Sequence, residues 1–221
     1  MIIAIDGPAG SGKSTIAKTI AEKLAFRYIN SGAMYRAVAW TAQNNGMDLN
    51  DREQVARVAA ELDIEFVPHP DGQKVMVNGN DVTQILKSEV VGKGAAVVAS
   101  QPKVREIMTA LQRHMGHEGK IVMEGRDIGT VVFPHADIKF YFDADPVERG
   151  KRRYHELRAK QQQVNLEKIV AQIKQRDYED AHRKIAPLIR AKDAIYLDTT
   201  HLTIDEVVDK VVEHIGPAAN V

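Results

Sequence analysis

The most specific chemistry near the start of the chain lies in Gly7-Pro8-Ala9-Gly10-Ser11-Gly12-Lys13-Ser14, with Thr15 following. These residues match GxxxxGK[ST] in full. Glycines let successive backbone N–H groups curl around phosphate oxygens, and a helix N-terminus behind them adds positive potential. Lys13 is placed to reach the β- and γ-phosphates, and Ser14 to offer its hydroxyl to magnesium. Such a run binds a nucleoside triphosphate. GTPases, motors and small-molecule kinases all use it, so the loop alone does not name the reaction. No Asn-Lys-x-Asp run for reading guanine occurs, which weighs against a GTPase.

The arginines discriminate further. Arg36 sits one turn into the helix expected after the second strand, beside Ser31 and Tyr35. Arg105 lies early in a helix starting near Pro102. Arg126 follows a third strand, at the carboxyl edge where α/β sheets bind ligands. Its neighbour Asp127 is open to three readings: a metal ligand, a substrate contact, or a partner for Arg126. Leu166, Ile169 and Ile173 form an apolar stripe at helical spacing that continues as Arg176, Asp180 and Arg183. A core-facing stripe that turns charged on the same face fits a pocket for a phosphorylated, hydroxylated ligand; the plainer reading is an exposed Arg176–Asp180 pair. Arg149, Lys151, Arg152 and Arg153 form a dense basic run, read as a mobile lid over transferring phosphates. Asp143 has two open readings, as a metal ligand after a strand or as a cap for the next helix. His114 and His117 lie in a Gly-flanked turn and read weakly as a metal pair.

A second anionic substrate follows from two cation groups beyond the loop. If the acceptor is itself a phosphate, no general base is needed, because its second pKa near ~6 leaves it ionised at neutral pH. Catalysis then reduces to alignment, charge neutralisation and exclusion of water.

The elements that must hold these residues alternate. Short apolar strands are expected at Ile2–Ile5, Phe26–Ile29, Ile121–Met123, Ile138–Phe142 and Ala194–Leu197. Helices are expected over about residues 13–25, from a Ser31 cap to Gln43, and from Thr203 to Ile215 behind a capping box. Alternation of this kind implies a parallel sheet covered on both faces. Ile64–Val67 and Lys74–Val77, joined through Pro68-His69-Pro70-Asp71-Gly72, break the rhythm. With the Asn78-Gly79 turn they read as a small antiparallel insert at about residues 63–84.

At 221 residues the chain can bury a sizeable core. Thirty Lys+Arg balance thirty Asp+Glu, so no bulk field favours nucleic acid or membrane. The absence of cysteine excludes disulfides and a thiolate nucleophile. With no basic, apolar leader at Met1-Ile2-Ile3, a soluble cytoplasmic protein is the expectation.

Taken together, Gly7–Thr15, Asn30-Ser31-Gly32-Ala33-Met34-Tyr35-Arg36, Pro102-Lys103-Val104-Arg105, Glu124-Gly125-Arg126-Asp127-Ile128-Gly129-Thr130 and Arg176…Asp180…Arg183 resemble the bacterial cytidylate kinase family, in order and over essentially the whole chain. The resemblance implies an α/β P-loop three-layer fold in one kinase domain. It would have a five-stranded parallel sheet, a small antiparallel β insert in the monophosphate-binding region, and a helical lid at about residues 146–165. It implies transfer from ATP to CMP or dCMP with Mg2+ as cofactor; a monomer with no nucleic acid or membrane partner is the accompanying expectation. Ser31, Tyr35, Arg36, Arg105, Arg126, Asp127, Arg176, Asp180 and Arg183 would bind CMP. Of these, Ser31, Arg36 and Arg126 would hold the phosphate, Arg105 and Asp127 would read the base, Arg176 and Asp180 would hold the sugar, and Arg183 would lie near the acceptor. Lys13, Arg126, Arg149, Arg152 and Arg153 would serve transfer. Two positions depart from the family pattern: Asn30 where Asp is usual, and Ala96 where a cytosine-contacting Ser is expected. The rival readings are a uridylate or broad pyrimidine monophosphate kinase, and a non-catalytic P-loop nucleotide sensor.

Overall fold

A computed structural model describes residues 1–69, 72–159 and 161–216. Pro70 and Asp71 of the expected insert, and Lys160 of the expected lid, lie outside those residues. Along the chain come β1 (Ile2–Asp6), α1 (Lys13–Leu24), β2 (Arg27–Asn30) and α2 (Ser31–Asn44). Next are α3 (Arg52–Glu61), β3 (Ile64–His69), β4 (Gly72–Val77), β5 (Asn80–Asp81), α4 (Glu89–Ala99) and α5 (Pro102–Met115). The chain ends with β6 (Ile121–Gly125), a π-turn over Ile128–Val132, β7 (Ile138–Asp143), α6 (Pro146–Ala159), α7 (Leu166–His182), β8 (Ile195–Asp198) and α8 (Ile204–Ile215).

Two compact units result, one from Met1–Tyr28 with the chain from Gly119 onward, the other from Ile29–Glu118. The five-stranded sheet has the order β2-β6-β1-β7-β8, with β2 running across the division. β1 is central, paired in parallel with β6 (Ile3 opposite Val122) and β7 (Ile3 opposite Ile138). Its unbroken apolar run follows from that place, since Ile3, Ala4 and Ile5 are all fully buried. Ile3 and Ile5 pack with Phe140 and Phe142 against Ile16 and Ile20 of α1 and Val207, Val208 and Val211 of α8. α8 starts at the expected capping box, Thr203 and Glu206 each accepting from the other's backbone N–H. Two carboxyl ends of this sheet, after β1 and after β6, launch the phosphate loop and the Arg126–Asp127 segment.

In the second unit, β3, β4 and β5 make the expected antiparallel sheet. Asn78 and Gly79 both take positive φ, 48° and 76°, as a two-residue hairpin turn requires. α4 closes on α2 at Gly94, where an added Cβ would come within 2.9 Å of Gln43 and 3.2 Å of Ala39.

Three local expectations need correction. Asn30, not Ser31, caps α2: its Oδ1 accepts from the Ala33 N–H at 3.0 Å, and Ser31 is the first helical residue. Asp145, not Asp143, accepts the free N–H groups that open α6, from Val147 and Glu148. Arg183 lies just past the end of α7 with extended backbone, so it has left the helical stripe that holds Arg176 and Asp180.

Candidate active site

The phosphate loop starts where β1 ends. A Cβ on Gly7 would collide with the Phe142 carbonyl of β7, so only glycine lets the chain leave the sheet there. Gly12 adopts φ 87° as the residue before α1, turning the backbone toward the helix. Inside the loop, the Lys13 Nζ donates to the Pro8 carbonyl at 2.6 Å, and the Ser11 hydroxyl donates to the same oxygen at 3.0 Å. Burial pulls the Lys13 ammonium down to about 7, and the Arg126 charge pulls the same way. Ser14 donates its hydroxyl to Glu124 Oε1 at 2.5 Å, and the Tyr28 hydroxyl donates to that same oxygen at 2.9 Å. Buried Glu124 therefore faces the loop hydroxyl rather than merely ending its strand.

After β6, the Arg126 Nε donates to Asp180 Oδ2 at 2.8 Å, both side chains more than four-fifths buried. Arg126 thus takes a partner from α7 and not its neighbour Asp127. Arg183 completes the group, 3.6 Å from Asp180 and 3.7 Å from Asp127. Burial works against the Arg126 charge, but the Asp180 carboxylate, helped by Glu124 and Asp177, holds the guanidinium above its ordinary value. Burial likewise pushes Asp180 up, and Arg126, Arg176 and Arg183 together hold it below the usual carboxylate range. The charged continuation of the α7 stripe is therefore a buried network, not an exposed i,i+4 pair.

The three lid arginines go to different places. Arg149 is almost fully buried. It donates to the carbonyls of Ala144 (2.8 Å) and Ala9 (3.0 Å) and pairs with Asp177 at 2.6 Å. Arg152 donates to the Thr199 and Thr200 carbonyls beyond β8. Arg153 is at the surface, paired with Glu156 one turn on. In the same unit the Thr199 hydroxyl donates to the Ser11 carbonyl at 3.1 Å, tying the end of β8 to the phosphate loop.

The second unit holds the other candidates. Ser31 and Tyr35 share a face of α2 and are buried, while Arg36 is half-buried on the next face. The Arg105 guanidinium, buried on α5, lies 5.3 Å from the centre of the Tyr35 ring and donates to the Ala99 carbonyl at 3.1 Å.

Asp6, Asp177 and Thr199 carry structural weight that was not anticipated. Asp6 had a signal, an acid ending an otherwise apolar strand directly before a phosphate loop. Asp177 and Thr199 had none, because their partners lie 28 and 188 residues away. Ser14 and Glu124 present hard oxygen donors, the kind magnesium prefers. No group of three or more His, Asp or Glu suited to a metal occurs among the described residues, His114 and His117 included.

The family model described as cytidylate kinase matches residues 3–216. A cytidylate kinase from Bacillus subtilis (strain 168) is 46% identical over 211 residues, covering 96% of this chain and 94% of its own. One from Ligilactobacillus salivarius is 47% identical over 210 residues, covering 95% and 94%. Among solved structures, an uncharacterized protein from Eubacterium ventriosum aligns with a TM-score of 0.52 at 13% identity, over 98% of this chain and 99% of that one. A gluconokinase from Sinorhizobium meliloti aligns at 0.50 with 12% identity, over 99% and 93%. The structural likenesses speak to the fold alone.

Proposed function

The chain belongs to the cytidylate kinase family, and from that premise we propose how its residues move the γ-phosphoryl group of ATP to CMP or dCMP, giving ADP and CDP or dCDP. The observation that carries the reading is the pair of buried cationic centres in one unit, Lys13 in the phosphate loop and Arg126 with Arg183 at the end of β6 and α7. A nucleotide sensor needs only the first. A kinase whose acceptor is also a phosphate needs both.

Gly7, Pro8, Ala9, Gly10, Ser11, Gly12, Lys13, Ser14 and Thr15 hold the ATP phosphates. Ser14 would hold magnesium through its hydroxyl oxygen, and the ion would supply charge neutralisation at the ATP phosphates. Glu124 accepts a hydrogen bond from the Ser14 hydroxyl and so fixes its orientation. Ser31, Arg36 and Arg126 hold the acceptor phosphate. Arg105, steadied by the Tyr35 ring, and Asp127 read the cytosine edge; Arg176 and Asp180 hold the sugar, with Arg183 at the acceptor. Lys13, Arg126, Arg149, Arg152 and Arg153 serve transfer, and α6 acts as the lid. Nothing here extracts a proton: the acceptor phosphate is already ionised, and the protein aligns charges and excludes water. At position 30 the amide of Asn30 keeps the α2 cap without the negative charge usual there. The balanced charge of the chain suits small nucleotides better than nucleic acid. We propose a cytoplasmic monomer, which light scattering on the purified protein checks.

A coupled assay of ADP formation with CMP, dCMP, UMP and AMP tests the reading. Turnover should require CMP or dCMP. ATP hydrolysis without an acceptor would sink the kinase assignment, and equal turnover of UMP would sink the cytosine assignment.

A further inference from the structure

Asp6 ends β1 directly before the phosphate loop, and it is 4% exposed. Its two carboxylate oxygens each accept one backbone N–H from the other side of the site: Oδ1 from Ile128 at 2.8 Å and Oδ2 from Gly129 at 2.7 Å. Those two residues open the π-turn over Ile128–Val132, which is closed by its own bonds from Val131 and Val132 to the Asp127 carbonyl and from Phe133 to the Ile128 carbonyl. The opening N–H groups of a helical turn have no partner within it and need an outside acceptor. Asp127, at the cap position, does not supply one; its side chain makes no capping bond and faces Arg183. Asp6 does the capping from 122 residues away, which spares the Asp127 carboxylate that task.

We propose that Asp6 is a positioning residue for phosphoryl transfer: its carboxylate clips the backbone after Asp127 to the end of β1 and fixes the spacing between the phosphate loop and the Arg126–Asp127 pair. The proposal rests on the reading of that pair as acceptor-side residues. Only an ionised carboxylate fits, because two N–H groups converge on one side chain with an acceptor oxygen for each. An amide would offer one oxygen and turn its NH2 toward the second N–H. The seat is tight on its far side as well. A Cβ on Gly129 would lie 3.4 Å from Asp6 Oδ2 and 3.1 Å from Lys139 Cδ, and Lys139 is itself held by Asp193 and the Pro134 carbonyl. Burial acts most strongly on Asp6 and, against the pull of the Gly129 and Ile128 N–H bonds, leaves its carboxyl up at about 6; the Asp127 charge adds to that rise and Lys13 opposes it.

The test combines Asp6→Asn with Gly129→Ala. In Asp6→Asn, kcat for CMP should fall about 10- to 100-fold, the range expected when reacting groups shift by about an ångström. The KM values for ATP and CMP should stay within about threefold, and calorimetry should still count near one CMP site per chain, which an unfolded fraction would not allow. Gly129→Ala leaves the carboxylate in place and meets it at ordinary contact, but crowds Lys139 Cδ, so the Gly129 backbone that Asp6 holds must give by a few tenths of an ångström; it should give the same kcat-selective loss at smaller size. In wild-type protein without nucleotide, the Ile128 and Gly129 amide signals in a 1H–15N NMR titration should move together around pH 6, and not in Asp6→Asn. Turnover of Asp6→Asn within twofold of wild type, at full site count, overturns the proposal, as does a loss confined to KM. Should Asp6→Asn fail to fold, Gly129→Ala decides in the same terms. If the two amides titrate as stated but the wild-type chain does not phosphorylate CMP, the substrate reading fails and the clip stands. If Asp6→Asn leaves the Ile128 and Gly129 amide signals where wild type has them, the clip itself is wrong.

Discussion

Lys13 and Arg126 are two buried cations of one unit, and burial has opposite outcomes for them. Lys13 has a carbonyl and one hydroxyl around its ammonium, with acids only at longer range, and is pulled down to about 7, chiefly by burial. Arg126 has a carboxylate at 2.8 Å and is held fully charged. An ammonium is a compact, strongly hydrated charge that loses its proton when desolvated, whereas a guanidinium keeps its charge and matches a carboxylate in a fixed fork. The phosphate loop thus holds a cation whose partner must come from outside, and the segment after β6 a cation already paired within the fold. Removing each should therefore cost different things.

The largest effect is expected at the loop. Lys13→Met should lower kcat about 10²- to 10³-fold, the usual loss for one group aimed at developing charge. It should leave unfolding free energy within about 1 kcal/mol, since it also removes a desolvated ammonium. Arg126→Ala should cost both activity and stability: about 10²-fold in kcat/KM for CMP with ATP binding retained, and about 3 kcal/mol because Asp180 is left buried without its main partner. Urea unfolding beside the coupled assay checks both variants. Equal stability losses would erase the contrast between the two centres.

Acid sharpens the same contrast. The folded Asp180 carboxyl lies below its ordinary 3.8, so its pairing contributes stability that is fully present above that value and is lost as pH falls through the folded pKa. Asp180→Asn should be less stable than wild type at about pH 6 by about 1–3 kcal/mol, and the gap should narrow below about pH 4. A gap that stays constant to about pH 3 would mean the charge of Asp180 contributes nothing to the fold.

The local pattern was readable in the sequence wherever the partner lay nearby. The phosphate loop, the buried run of β1, the Asn78-Gly79 turn and the Thr203–Glu206 capping box are all decided within a few residues, and all appear as expected. Ser31 and Asn30 were harder because both are good caps in adjacent places; the backbone geometry of Asn30 settled it. The pairing of Arg126 with Asp180, 54 residues apart, and the Asp6 clip were not legible, because nothing local distinguishes a solvated charge from one matched across the sheet edge. The arginine run at 149–153 divides in a way its spacing does not show. Helical spacing puts Arg149 and Arg153 on one face, but the start of that face is covered by α7 and its end is in water.

That division of one face sets the smaller predictions. Arg149→Ala should cost about 3 kcal/mol, because it leaves Asp177 and the Ala9 and Ala144 carbonyls without their donor. Since Ala9 belongs to the phosphate loop, KM for ATP should rise with it. Arg153→Ala should shift stability by no more than about 0.5 kcal/mol, the worth of a pair like Arg153–Glu156 whose side chains are 41% and 61% exposed. Activity then separates two roles for that exposed end. If Arg153→Ala melts like wild type yet loses turnover, its guanidinium leaves Glu156 to reach the transferring phosphoryl group, and the exposed part of α6 is the working part of the lid. If turnover is also unchanged, the basic run contributes to the reaction only through its buried members, Arg149 by holding the loop and Arg152 by holding the Thr199–Thr200 backbone beside it.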